Sequence, residues 1–218
     1  MAIGDVMGHD IEAAAAMAQV RAGLRAYAWE GEEPAAVIGR LAALVDAFDV
    51  TALVTVIYGV LAAPNGNGAR WFQWANAGHL PPLLISPEGQ VDELRDGKSA
   101  VIGALGDEPR SQGRRLLAPG STMVLYTDGL VERPGVALAG SIEQLRASLQ
   151  QKRSGNSAND LCDGILGANG SDERRDDTAI VVLRLLSADV GTAGRASRNG
   201  LSCNERDSPR SVSEVLIG

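Results

Sequence analysis

Acidic residues stand at the ends of three apolar runs that lie far apart in the sequence. They are Asp5 in the first run, Asp128 followed by Gly129 after the second, and Asp176 with Asp177 before the third. A glycine after an acidic residue permits a sharp exit from a strand and a close approach of the backbone. Asp128 is therefore the first candidate metal ligand. The acidic residues of the other two stretches can reach the same site only through the fold of the chain.

Carboxylates gathered at one end of a sheet repel one another, and binding of Mg²⁺ or Mn²⁺ commonly stabilises such an arrangement. Two such ions about 3.5 to 4 Å apart can bridge a water, lower its pKa and orient it for in-line attack on phosphorus. The three stretches together therefore predict metal-assisted hydrolysis of a phosphate monoester. A single Asp-Gly pair is more often a surface turn, so the prediction depends on all three.

Composition and charge exclude several other classes of function. The chain has 218 residues, of which 45% are hydrophobic and 22% charged, as expected for one globular domain of ordinary size. A net charge of -7 argues against a large nucleic-acid interface, which needs a basic face. With two histidines and two cysteines, a conventional zinc site is not expected, which leaves a metal that prefers oxygen ligands.

The sequence also carries no signal for a membrane or for secretion. Its longest apolar or small stretch, residues 51–64, is shorter than the roughly 18 residues that a membrane-spanning helix needs. Residues 1–10 lack the basic start and apolar core of a secretory signal, and the cysteines suggest no disulfide framework. We therefore expect a cytoplasmic protein, and no pattern in the sequence predicts its oligomeric state.

The first half of the chain predicts two helices followed by strands. Apolar residues at helical spacing predict a helix over residues 10–28, with Asp10 as its N-cap, and an amphipathic helix over 37–48. Two apolar and β-branched runs, 53–60 and 70–75, flank a glycine-rich turn and predict a β-hairpin. Both helices are expected to lie against a sheet.

The second half predicts more strands, two helices and a tail. Strands over residues 83–85 and 91–94 are expected to continue an antiparallel meander, and strands over 114–117 and 122–126 to form a hairpin ending at Asp128. Further predicted elements are a long loop over 96–113, helices around 142–149 and 161–166, and a strand over 178–185. The fold class predicted from this order is α+β, with helices flanking packed antiparallel sheets. Residues 1–186 would form the domain and 187–218 a disordered tail.

Four short segments occur in an order that is specific as a set. They are Gly-Asp-Val-Met-Gly-His at 4–9, Asn-Ala-Gly-His-Leu-Pro-Pro at 76–82, Leu-Tyr-Thr-Asp-Gly at 125–129 followed by Glu132, and Asp-Asp-Thr at 176–178. Residues 2–186 thereby resemble the PPM-type (protein phosphatase 2C-like) serine/threonine phosphatases, and within them the bacterial SpoIIE/RsbU-like subgroup. The resemblance implies an α-β-β-α sandwich with a dinuclear manganese or magnesium site. It also implies dephosphorylation of phosphoserine or phosphothreonine, often on an anti-sigma-factor antagonist of the STAS type.

The resemblance assigns metal-binding roles position by position. It implies that Asp5, the backbone carbonyl of Val6, Asp128 and Asp176 are metal ligands. Asp177 stands where the family has Asn or Asp, which implies a secondary role in orienting the neighbouring ligand or reaching a metal-bound water.

The two histidines have alternative interpretations. His9 can donate a proton to the leaving oxygen, or it can be a helix-start histidine bonded to the backbone. For His79 a structural role is favoured over catalysis: with Asn76 and Gly78 it would form a turn that shapes the end of the sheet. Gly129 has a structural role as the exit from its strand.

The sequence departs from the family pattern in two places. The Gly-Gly-Asp-like motif that normally precedes the motif around Asp5 has no counterpart in residues 1–218, which predicts weaker binding of at least one of the two ions. Asp10 stands where the subgroup has Gly and is a possible stray ligand. A catalytically inactive interaction module is therefore the alternative function. A haloacid-dehalogenase-type phosphatase is excluded, because Tyr126 occupies the place of its first aspartate.

Overall fold

Two β-sheets packed face to face, with a pair of helices on each outer side, make up the computed structural model of the chain. It describes residues 1–8, 10–47, 53–104, 108–133, 135–151, 157–168 and 178–186. In chain order the elements are β1 (Ala2–Val6), α1 (Ile11–Glu30), α2 (Pro34–Ala47), β2 (Val54–Leu61), β3 (Arg70–Ala77), β4 (Leu83–Ile85), β5 (Val91–Glu93), β6 (Lys98–Ser99), β7 (Gly113–Leu117), β8 (Thr122–Tyr126), α3 (Leu138–Gln151), α4 (Ala158–Ala168) and β9 (Ile180–Arg184). The prediction of an α+β fold with an α-β-β-α sandwich is confirmed.

The strands divide between the sheets in an order that differs from their order along the chain. The first sheet has the order β1-β2-β3-β6, with β7 also paired to β3, and the second has the order β5-β4-β8-β9. All pairs are antiparallel except β3 with β6, which is parallel. The ends of β1 and β8, which carry the first two candidate ligands, therefore belong to different sheets.

Alternation of side chains along the strands divides the core into three layers. In β2, Ile57 faces the second sheet and Val56 faces the helices, as period-two alternation requires. Leu24 of α1 and Leu41 of α2 are fully buried on that outer side. On the opposite side of the sandwich, α3 and α4 cover the second sheet through buried apolar residues that include Leu149 and Ile165.

Two predictions of strand pairing were wrong. The chain passes from the first sheet to the second between β3 and β4, so the meander is interrupted there, although β4 and β5 pair antiparallel as predicted. It does so again between β7 and β8, which therefore form no hairpin. Leu117 of β7 and Met123 of β8 both enter the layer between the sheets, from opposite sides. Because β7 and β8 bury side chains in the same core from opposite sides, they pair with strands of different sheets, although Pro119 and Gly120 signal a turn between them.

The remaining predictions of secondary structure agree with the structure within a few residues. Within the predicted loop over 96–113 the structure contains the short strand β6, which pairs with the end of β3. The predicted tail at 187–218 lies outside the described residues. No helix in the described part of the chain combines the length and the apolar character needed to cross a lipid bilayer.

Candidate metal centre

The position of Asp5 follows from the pairing of β1 with β2. Asp5 lies directly opposite Thr55, as Ile3 lies opposite Ile57 two residues earlier. Ile3 and Ile57 are buried between the two sheets, so alternation places Asp5 and Thr55 on the same inner face, at the end of the strands. Asp5 itself is half-buried. Its carboxylate therefore stands at the mouth of the crevice between the sheets.

The same pairing sets the direction of the Val6 carbonyl. Met1 exchanges backbone hydrogen bonds with Gly59, and the Met7 N–H donates to the Leu53 carbonyl at 2.9 Å. In an antiparallel ladder, residues whose backbone groups bond the neighbouring strand alternate with residues whose groups do not. The backbone N–H and C=O groups of odd-numbered residues in β1 therefore point toward β2, and those of even-numbered residues point away from it. The Val6 carbonyl is thus directed away from β2, toward the outer edge of the sheet, as a backbone metal ligand would need.

Asp128 lies where β8 ends and a single 3-10 turn, Asp128–Leu130, begins. Its Oδ1 accepts a hydrogen bond from the Gly129 N–H at 3.0 Å, which limits rotation of the carboxylate. The Asp128 carbonyl accepts bonds from the N–H groups of Val131 and Glu132, which close the turn. Gly129 is buried and lets the backbone leave the strand, as predicted. The half-buried Asp128 therefore stands at the end of the second sheet.

Thr127 connects Asp128 to the strand that follows the third acidic stretch. Its N–H donates to the Ala179 carbonyl at 3.1 Å, and its Oγ1 accepts from the Ala179 N–H at 2.9 Å. Asp176 and Asp177 lie outside the described residues, as does His9.

Asn76, Gly78 and His79 form a turn, as predicted. The Asn76 side chain accepts from the His79 N–H at 2.8 Å and donates to the His79 carbonyl at 3.0 Å. Gly78 has φ of 70°, and a Cβ there would lie 2.9 Å from the Val101 Cβ, so a larger residue does not fit. This turn carries the chain from the first sheet to the second.

The His79 imidazole is buried and neutral. Its Nδ1 lies 2.9 Å from Thr55 Oγ1. Burial lowers the pKa of His79 to about 4, and the nearby Tyr126 backbone carbonyl opposes that shift only in part. Thr55 lies opposite Asp5 in the strand register, so this contact lies beside the strand end that carries the first candidate ligand.

The sequence analysis did not single out two threonines that lie beside the candidate ligands. Thr55 becomes important only through strand register and its contact with His79, and no local pattern signals it. Thr127 belongs to the Leu-Tyr-Thr-Asp-Gly segment, but nothing in that segment signals that its hydroxyl accepts a hydrogen bond from the Ala179 N–H. Asp10 caps α1, accepting from the Ala13 N–H at 2.8 Å, as predicted.

The donors at this end of the sandwich suit a hard divalent cation. Asp5 and Asp128 supply carboxylate oxygens and Val6 a carbonyl oxygen, which Mg²⁺ and Mn²⁺ prefer. Within the residues that the structure describes, no group of three or more His, Cys, Asp or Glu side chains is arranged to hold a metal ion. Asp176 and Asp177 are not among those residues, so the described donors fit part of a metal site.

Comparison with known proteins identifies the family. The family model described as stage II sporulation protein E (SpoIIE) matches residues 1–186. Phosphoserine phosphatase RsbU of Bacillus subtilis (strain 168) is 28% identical over 133 residues, which are 61% of this chain and 38% of RsbU. This chain therefore spans well under half the length of that relative.

Two solved structures share the fold. The structure of the RsbU and RsbW domains of Rv1364c from Mycobacterium tuberculosis has a TM-score of 0.68 at 24% identity, over 84% of this chain and 52% of that one. The structure of the PP2C phosphatase domain and a fragment of the regulatory domain of SpoIIE from Bacillus subtilis has a TM-score of 0.67 at 15% identity, over 86% and 54%. From the order of its motifs, its sandwich of two sheets and the match over residues 1–186, the chain belongs to the SpoIIE family, the RsbU-like group of PPM-type phosphatase domains.

Proposed function

We propose that this chain is a metal-dependent protein serine/threonine phosphatase that hydrolyses phosphoserine or phosphothreonine on a regulatory protein. The proposal is supported by Asp5 and Asp128, which belong to different sheets, lie more than a hundred residues apart in sequence, and each stand half-buried at the end of a strand. Placing two half-buried carboxylates close together raises the free energy of the folded protein unless a cation compensates their charge. The family match supports the same chemistry.

Each residue has a role in this proposal. Asp5, Asp128 and Asp176 hold Mn²⁺ or Mg²⁺, together with the Val6 carbonyl, and Asp177 orients a neighbouring ligand. When bound, such ions lower the pKa of water and neutralise charge on the phosphate. His9 donates a proton to the leaving serine or threonine oxygen. The Gly129 N–H, which bonds Asp128 Oδ1, fixes the direction in which that carboxylate presents its oxygens.

The substrate class follows from the relatives. RsbU is a phosphoserine phosphatase, and the Rv1364c structure joins RsbU and RsbW domains, so a regulatory phosphoprotein is the proposed substrate. The resemblance to the RsbU-like subgroup favours an anti-sigma-factor antagonist of the STAS type. A net charge of -7 favours a protein over a nucleic acid as partner.

The experiment is hydrolysis of a chromogenic phosphate ester and of a phosphoserine peptide by the whole chain with Mn²⁺. We expect activity that EDTA abolishes and that Asp128→Asn lowers by a factor of about a hundred or more, the scale of losing electrostatic stabilisation of the transition state. Asp163→Asn is the matched control, because Asp163 is exposed on α4 and belongs to no proposed site. Activity that survives Asp128→Asn or EDTA would refute the proposal.

A second candidate is a catalytically inactive interaction module with the same fold. It is favoured by the lack, within the described residues, of any group of three or more His, Cys, Asp or Glu side chains arranged to hold a metal ion. It predicts no Mn²⁺-dependent hydrolysis even at high protein concentration, together with retained binding to the phosphorylated partner.

A further inference from the structure

Two large apolar side chains stand exposed beside the strand end that carries Asp5. Met7 follows β1 and is 64% exposed, and Ile11 begins α1 and is 88% exposed. Single exposed apolar residues are common on protein surfaces and need no explanation. These two differ, because only residues 8–10 separate them in the chain and because they follow closely on the candidate ligands Asp5 and Val6.

The backbone is fixed at both ends of the connection between Met7 and Ile11. The Met7 N–H donates to the Leu53 carbonyl at 2.9 Å, which extends the pairing of β1 with β2 by one residue. Alternation along this ladder places Met7 on the same face of the sheet as Asp5, at the side where the strand ends. At the other end of the connection, the Asp10 side chain caps α1 and thereby fixes the first turn, which carries Ile11.

An open depression adjoins these side chains. Its volume is about 580 Å³, and it is lined by Asp10, Ile11, Glu12 and Ala14. Apolar surface bordered by polar residues is typical of places where one protein binds another. The carboxylates of Asp10 and Glu12 favour a partner that carries a positive charge near the contact.

We propose that Met7 and Ile11 form a docking surface for the phosphoprotein substrate. They contact apolar side chains that flank the phosphoserine or phosphothreonine, and Glu12 pairs with a basic residue farther along the same segment. The inference rests on the proposed function and deepens it, because it names the sequence that is selected around the phosphorylated residue. The surface is continuous with the candidate metal centre, since Met7 follows Val6 directly. An extended segment advances about 3.3 Å per residue, so neighbours of a residue bound at the metal centre reach this surface.

Charge favours a substrate segment over a second copy of the chain as the occupant. Asp10 and Glu12 border the surface, and the chain has a net charge of -7, so two copies repel each other. A segment that carries lysine or arginine is attracted instead. Apolar anchors supply most of the binding energy in such a contact, and the charged rim adds specificity.

The test compares two synthetic phosphoserine peptides as substrates of the whole chain with Mn²⁺. One peptide has leucine on both sides of the phosphoserine and the other has serine there, and both have the same lysine farther along. We expect the wild-type kcat/KM to be about tenfold higher for the leucine peptide, the scale of selectivity that an apolar contact provides. Met7→Ser and Ile11→Ser should each lower this ratio to about threefold or less. Because the ratio compares two substrates of one variant, an effect on the metal centre cancels.

Trp29→Ser is the matched control. Trp29 is 77% exposed at the other end of α1, about 27 Å from Ile11 along the helix axis, so its replacement should leave the ratio unchanged. Glu12→Gln tests the charged rim. It should reduce the preference for the lysine peptide over the same peptide with glutamine, and the reduction should be smaller at high salt.

The outcomes separate this inference from the proposed function. Equal wild-type kcat/KM values for the two peptides, or a ratio that Met7→Ser and Ile11→Ser leave unchanged, overturn the inference while the proposed function stands. A wild-type protein that hydrolyses neither the peptides nor a chromogenic ester overturns the proposed function.

Binding of the two peptides, labelled with a fluorophore and measured by anisotropy, then decides the inference without turnover. A preference for the leucine peptide that Ile11→Ser removes supports the docking surface, and equal affinities overturn it. A wild-type dimer that Ile11→Ser converts to a monomer, with no change in peptide preference, assigns the surface to a second copy and also overturns the inference.

Discussion

Thr127 and Ala179 join the end of β8 to the start of β9 through hydrogen bonds of 2.9 and 3.1 Å. The first uses the Thr127 hydroxyl, so it depends on the side chain, whereas the second is a backbone bond. Thr127 is the neighbour of Asp128, and Ala179 follows the acidic pair Asp176 and Asp177 closely. A threonine hydroxyl thus anchors the segment that leads into β9 to the residue beside Asp128.

Replacement of this hydroxyl tests the anchor. Thr127→Val leaves the partly buried Ala179 N–H without its acceptor, which should lower the free energy of unfolding by about 1 kcal/mol. It should also weaken Mn²⁺ binding, because the bond to Ala179 helps to hold the strand end at which Asp128 stands. Urea unfolding and calorimetry measure the two effects, and Thr127→Ser should restore both. Equal Mn²⁺ affinity in Thr127→Val and wild type would contradict the role of this anchor.

Asp10 is expected to be an N-cap and not a stray metal ligand. It accepts from the Ala13 N–H at 2.8 Å, so Asp10→Ala should cost about 1 kcal/mol of stability. Asp10→Asn retains an acceptor and should be nearly neutral in thermal unfolding. Both variants should bind Mn²⁺ like the wild type. If Mn²⁺ affinity falls in both variants, although Asp10→Asn keeps the cap, the Asp10 charge contributes to the metal site.

Gly4 allows β1 to lie close to β2 beside Asp5. A Cβ on Gly4 would lie 2.6 Å from the Thr55 carbonyl oxygen, a contact that backbone atoms cannot relieve without a shift. Gly4→Ala should therefore destabilise the protein by about 1 to 3 kcal/mol and weaken Mn²⁺ binding. Gly66→Ala is the control, since nothing lies within 4 Å of a Cβ at that position. The melting temperatures of the two variants should differ clearly, and similar values would argue against a close approach at Gly4.

Acid should destabilise the protein through His79. Its pKa in the folded protein is about 4, below the ordinary value of 6.5, because burial disfavours the charged ring. Between those values the unfolded chain binds a proton that the folded protein does not, so stability falls as pH falls from about 6.5 to about 4. The loss should approach about 3 kcal/mol, at about 1.4 kcal/mol for each unit of pKa difference.

The contribution of His79 is isolated by comparing wild-type protein with His79→Gln in urea at pH 7, 5.5 and 4.5. Carboxylates titrate in both proteins, so their effect cancels in the difference. We expect the stability advantage of wild type over His79→Gln to shrink as pH falls. A difference that stays constant across this range would mean that His79 is not buried as a neutral ring.

The sequence determined the family and most of the elements of this protein. Local patterns are sufficient for these, because helical periodicity, strand alternation and turn residues act over a few neighbours, and the motifs around Asp5, His79 and Asp128 are contiguous. The N-cap Asp10 is a signal of the same local kind. Predicted boundaries such as residues 83–85 and 122–126 coincide with β4 and β8.

Only the tertiary structure decided which strands share a sheet and which side chains meet. Turn signals suggested that β7 and β8 form a hairpin, but burial of Leu117 and Met123 in one core places the two strands in opposite sheets. In the same way, Thr55 reaches His79 through the register of β2 with β3 and the turn that follows β3. Register and crossing depend on the packing of distant apolar faces, which a local pattern of residues does not encode.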